Sequence, residues 1–128
     1  MSINVTALDH VNIECKDVDE TAKFYTEILG MTSGERPVFP RPGHWMYLAD
    51  RPVIHLITPD PKNAMLTGSH DAAISHFALR VSNFEETMKH LDSQGISYHA
   101  MPVPGTNMRQ LFFDDPNGVL VELIHIPN

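Results

Sequence analysis

Residues 8–15, LDHVNIEC, and 74–81, ISHFALRV, both read as alternating, β-branched strands. Each carries a histidine just inside its start, His10 and His76, 66 positions apart. Such self-similarity constrains the fold more than any local propensity, because each copy of a repeated unit must bury an equivalent sheet face. After the first strand comes KDVDETAKFYTEILG, with Val18, Ala22, Tyr25 and Leu29 at helical spacing and Phe24 and Ile28 beside them. Asp17 with Glu20 predicts a helix cap and its reciprocal partner, and Gly30 the left-handed stop. The second strand is followed by SNFEETMKHLDSQG. There Ser82 and Glu85 form an S-x-x-E capping box, Phe84, Met88 and Leu91 share a face, and Gly95 ends the helix.

Three strand candidates follow each helix, near 31–37, 44–50 and 53–58 and then near 96–102, 108–113 and 119–126. DRP at 50–52 and DDPNG at 114–118 supply turns at matching places. The chain thus reads β-α-β-β-β twice. Module 1 covers about 7–59, a polar linker 60–73, and module 2 about 74–127, in one α+β domain of 128 residues. Aligning VIHLITP with VLVELIHIP sets His55 opposite Glu122 at an offset of 67, one residue from the histidine period.

Composition narrows the function. A formal net charge of −7, with Lys and Arg spread thinly, argues against nucleic acid. No stretch approaches a membrane span, and MSINVTALDH lacks the regions of a signal peptide, so a cytoplasmic protein is expected. The single cysteine, Cys15, excludes an internal disulfide and suits a small core residue. Eight histidines are many, and point to metal or proton chemistry.

Paired modules with His10, His76 and the ending DPNGVLVELI resemble the vicinal oxygen chelate superfamily, the group of glyoxalase I, methylmalonyl-CoA epimerase, extradiol dioxygenases, fosfomycin resistance enzymes and bleomycin-binding proteins. DHVNI…FYTEILGM, SHFAL and DPNG…VEL carry the resemblance over nearly the whole chain. It implies a curved, incomplete β-barrel of two βαβββ modules around a central metal site. It also implies metal ligands at His10, His55, His76 and Glu122, and a homodimer. Imidazole and carboxylate donors suit Fe2+, Ni2+, Zn2+, Mn2+ or Co2+. Ligand-capable types make up about one residue in five, so four chosen positions would all hold them by chance roughly once in several hundred. Glu122, within the apolar run LVELIHI, is out of place unless paired or coordinating.

A cation there would chelate a small substrate through two adjacent oxygens. The expected chemistry is lyase- or isomerase-type proton transfer, with His55 and Glu122 as catalytic groups near the reacting carbon. An Fe(II) extradiol dioxygenase using His10, His76 and Glu122 is the alternative, and a drug-sequestering module a second. His55 departs from the carboxylate of glyoxalase I and the glutamine of the epimerase at this place, and suits either a fourth ligand or an acid/base. The loop PVFPRPGHWMY offers Arg41 for a substrate anion and Trp45 for a pocket wall, although Trp45 and Tyr47 equally suit a sheet face. Arg80 shares the face of His76; Gln110 and Phe112 share a face opposite Arg109, and likeness to fosfomycin enzymes points to the Phe112 side. His44, His70, His90, His99 and His125 lack counterparts and are expected to be surface or structural residues.

Overall fold

The computed structural model describes residues 3–4, 6–59 and 74–128; the expected linker, with His70, lies outside them. The chain divides into two compact units, Met1–Asp60 and Pro61–Asn128. The first contains β1 (Val11–Glu14), α1 (Val18–Glu27), β2 (Thr32–Gly34), β3 (Gly43–Leu48) and β4 (Arg51–Ile57). The second contains β5 (His76–Arg80), α2 (Phe84–Ser93), β6 (His99–Pro102), β7 (Arg109–Asp114) and β8 (Leu120–His125). Each is a four-stranded mixed sheet, ordered β1-β4-β3-β2 and β5-β8-β7-β6. β1 runs parallel to β4 and β5 parallel to β8, while the remaining pairs are antiparallel. Both sheets are open. No described helix is long and apolar enough to cross a membrane.

In the first unit the side chain of Asp17 accepts from the Glu20 amide at 3.0 Å, as the cap pattern predicts, and Gly30 takes φ 69°. Val18, Thr21, Ala22 and Tyr25 of α1 are buried, as are Ile13, Cys15, Met31, Met46, Ile54 and Leu56. Alternation along β1, β3 and β4 gives these residues to one side and leaves the other for polar groups. The hairpin turn falls at Ala49–Asp50, not at DRP. Leu48 pairs with Arg51, and Ala49 bends the chain at φ 55°. Pro52 instead enters β4 opposite Tyr47, where the register shifts and a missing N–H is tolerated.

The second unit repeats this plan with one correction. Asn83, not Ser82, caps α2: its Oδ1 accepts from the Glu86 amide at 3.0 Å. Both residues satisfy a cap pattern, and a start at Asn83 puts Phe84, only 4 % exposed, at the first helical position. Phe84 and Leu91 bury with Leu111, Phe113, Val121 and Leu123. In DDPNG the Asp115 carboxylate accepts from the Asn117 and Val119 amides while Gly118 takes φ 82°. β2 and β6 are shorter than expected, three and four residues.

Replacing Asp17 or Asn83 by Ala should each lower the unfolding free energy by about 1 kcal/mol. Ser82→Ala should stay within about 0.5 kcal/mol of wild type. Urea unfolding followed by circular dichroism measures all three, and a Ser82 effect equal to that of Asn83 would contradict the assigned cap.

Candidate metal centre

Cross-strand register aligns the two units residue by residue. In the first, Asn12, His55, Trp45 and Gly34 form one row across β1, β4, β3 and β2. In the second, Ala78, Glu122, Phe112 and His99 form the same row across β5, β8, β7 and β6. Directly opposed residues point to one face, so each row lines the side away from its helix. His10 and His76 stand two residues before their rows. His76 opens β5, whereas His10 lies just before β1 rather than within it.

In the second unit, His76 Nε2 lies 3.0 Å from Oε1 of Glu122, and Ser75 Oγ lies 3.0 Å from His76 Nδ1. Phe112 meets the His76 ring edge-on, with centroids 5.5 Å apart. Glu122 is 7 % exposed, and His76 supplies the partner that a buried carboxylate needs. In the first unit, His10 and His55 stack with centroids 3.8 Å apart, and Trp45 stacks on His55 at 4.1 Å. His10 donates from Nδ1 to Asp9 at 2.7 Å, which leaves its Nε2 as a lone pair. His55 donates from Nε2 to the Pro52 carbonyl at 3.1 Å, so Nδ1 is its free lone pair.

Burial pulls the His55 pKa below its ordinary value, with the neighbouring His10 and Arg36 acting in the same direction against Pro52 and Asp9. The hydrogen bond from His10 holds the Asp9 carboxyl below its usual range.

The donors fit a divalent ion in kind and, in the second unit, in spacing. Two ligands at right angles on bonds of about 2.1 Å stand about 3 Å apart, the separation of His76 Nε2 and Glu122 Oε1. Among the described residues, however, no group of three or more His, Cys, Asp or Glu side chains is gathered to hold a metal ion. The expected four donors are present as two pairs, because each parallel strand pair brings together only the donors of its own unit.

The other expected site residues fall into distinct surroundings. Trp45 and Phe112 lie in the two rows, against His55 and His76. Arg41 donates from Nε to the Thr58 carbonyl at 2.9 Å, and from Nη2 to the same oxygen, so its guanidinium is committed to backbone. Arg80 reaches the Ile126 carbonyl at 3.3 Å. Gln110 is paired with Met101 and Ile124, on the Phe112 face. Of the histidines without a counterpart in the other half of the chain, His44 joins Ser33 to Asp19 of α1, and His125 lies opposite Arg109 on the other face. His99 shares the Glu122 row, a placement that strand parity across β6 and β7 could have revealed. Asp9 and Ser75, each directly before a candidate histidine, contact its ring Nδ1, which no spacing in the sequence foretells.

The depressed His55 pKa has a signed consequence. Unfolded, His55 titrates near about 6.5; folded, it resists the proton, so its contribution is present above that pH and is lost as pH falls. His55→Phe keeps a stacking ring without titrating. Between pH 7 and 5 the wild-type melting temperature should therefore fall more steeply than that of the variant. Parallel curves would contradict the assignment.

Comparison with known proteins gives this geometry a context. Residues 7–123 match the family model of the Glyoxalase/Bleomycin resistance protein/Dioxygenase superfamily. "Glyoxylase I 4" of Arabidopsis thaliana is 28% identical over 124 residues, covering 94% of this chain and 71% of that protein. A solved structure from Bacillus anthracis, assigned to the glyoxalase family, superposes with a TM-score of 0.76 at 23% identity, covering 99% of this chain and 100% of that one. A mutant of the fosfomycin resistance protein FosX from Listeria monocytogenes, complexed with Mn(II) and 1S,2S-dihydroxypropylphosphonic acid, superposes with a TM-score of 0.74 at 16% identity, covering 97% of this chain and 95% of that one. With a match spanning nearly its whole length, the chain belongs to the Glyoxalase/Bleomycin resistance protein/Dioxygenase superfamily.

Proposed function

We propose that this protein is a divalent-metal-dependent enzyme that acts on a small substrate with adjacent oxygens by lyase- or isomerase-type proton transfer. The observation that carries the reading is the His76–Glu122 pair, a nitrogen and an oxygen 3.0 Å apart beside Phe112. The register-matched histidines His10 and His55 add to it. Likeness to a glyoxylase, and to a FosX protein complexed with Mn(II) and a vicinal diol, supports the same chemistry.

In this reading Nε2 of His10, Nε2 of His76 and the Glu122 carboxylate, from one chain or from two copies of it, would hold a single cation, which would supply Lewis acidity toward two neighbouring substrate oxygens. Asp9 holds His10 in the tautomer whose Nε2 is free, and Ser75 steadies the His76 ring. His55 takes the proton from the carbon beside the substrate carbonyl at Nδ1 and returns it at the neighbouring position. Its Nε2–H stays on the Pro52 carbonyl throughout. Stacking between His10 and Trp45 fixes the plane of that ring.

The same three donors allow a second reading. His10, His76 and Glu122 also make up the two-histidine, one-carboxylate set of non-haem Fe(II) oxygenases. His55 would then act as acid or base for a ring-cleaving dioxygenase.

Equilibrium dialysis against Mn2+, Ni2+, Zn2+ and Co2+ should show stoichiometric metal in the wild type. His10→Ala, His76→Ala and Glu122→Ala should each lose it, along with at least about a hundredfold of activity. Retention of metal by all three variants would refute the ligand set. Oxygen uptake with catechols after anaerobic Fe(II) loading would move the dioxygenase reading ahead.

A further inference from the structure

Apart from the histidine pairs, the first unit carries a groove of about 440 Å³ lined by Glu35, Arg36, Pro37, Trp45 and Tyr47. That volume falls within the range of small-molecule sites. Trp45 belongs both to the groove wall and to the stack on His55, so the groove adjoins the proposed reaction site.

Arg36 supplies the charge. Its Nη2 donates to the Arg41 carbonyl at 3.0 Å, and its Cζ lies 4.9 Å from the Phe39 ring centroid. Among the described residues no carboxylate forms an ion pair with it, and its Nε is the one buried side-chain N or O atom without a hydrogen-bond partner. An unmatched Nε is costly, and it leaves this groove-lining arginine without a compensating charge among the described residues.

Two glycines show that the groove is shaped around these side chains. A Cβ on Gly43 would stand 2.8 Å from Nη2 of Arg36 and 2.4 Å from the Leu56 carbonyl oxygen. A Cβ on Gly34 would stand 2.8 Å from the Tyr47 ring, whose hydroxyl donates to the Glu35 carbonyl at 2.7 Å. Pro37, Pro40 and Pro42 stiffen the segment that holds Phe39 over Arg36.

We propose that this groove binds the planar carboxylate end of the substrate, with Arg36 meeting the anion and Trp45 and Tyr47 meeting its flat face. This deepens the enzymatic reading by naming the substrate class, an aryl or enol carboxylate, and it replaces Arg41 with Arg36 as the anion-binding cation. The exposed carboxylate of Glu35 opposes the anion and limits the charge the groove accepts.

Trp45 is the only tryptophan in the chain, so its fluorescence reports the groove directly. Full-length protein stripped with a chelator is titrated with benzoate and with the neutral isostere benzamide. Benzoate should bind saturably and at least about tenfold more tightly than benzamide. Arg36→Gln should erase that preference, and Glu35→Gln should tighten benzoate a few-fold. Equal affinities, no saturable benzoate signal, or a folded Arg36→Gln protein that keeps the preference would each overturn the proposal. Should Arg36→Gln fail to fold, the wild-type ratio and Glu35→Gln decide, and an unchanged Glu35→Gln affinity counts against it. The titration contains no metal, whereas the metal reading is tested by dialysis of the His76→Ala variant. Failure of the groove and failure of the metal site are thus separable.

Discussion

Parallel pairing of the first and last strands of each unit is the constraint on which the candidate chemistry depends. β1 lies beside β4 and β5 beside β8, and a parallel neighbour requires a crossover, which α1 and α2 provide. The helix buries one face of its sheet and leaves the other available. Because the paired strands are the first and last of the unit, residues about 45 positions apart meet on that open face. His10 reaches His55 and His76 reaches Glu122 for the same geometric reason.

Hydrogen bonds then settle which atoms of those side chains are available. An imidazole offers two nitrogens, and the partner of one decides the role of the other. Asp9 accepts a hydrogen bond from Nδ1 of His10, which frees Nε2; the Pro52 carbonyl accepts one from Nε2 of His55, which frees Nδ1. Two stacked histidines thereby offer opposite ring nitrogens, which suits a division between ligand and base. Glu122 tells a related story. A carboxylate at 7 % exposure in an apolar strand is retained with His76 beside it, and the Phe112 ring meets that imidazole edge-on.

The arginines show how chemistry is redistributed by packing. Arg41 and Arg36 are five residues apart in a proline-rich segment, and composition does not separate them. Arg41 folds onto the Thr58 carbonyl and closes the end of β4, whereas Arg36 lies beside Phe39, against Gly43, with its charge unmatched by any described carboxylate. Trp45 resolves in a similar way. It stacks on His55 across the sheet face and also lines the groove.

Spacing within the chain carried the β-α-β-β-β repeat, the Asp17 cap, the apolar helix faces and the equivalence of the His55 and Glu122 positions in the two repeats. Each of these rests on local spacing or on internal comparison within one chain. The exact turn at Ala49–Asp50, the Asn83 cap and the register shift opposite Pro52 were not recoverable, because neighbouring residues satisfied the same local rules and cross-strand pairing chose between them. The ring nitrogen left free on each histidine, and the cation left for the groove, were decided only by folding. Both depend on which backbone carbonyl comes within hydrogen-bond reach, Pro52 for His55 and Thr58 for Arg41, and no spacing in a sequence specifies that distance.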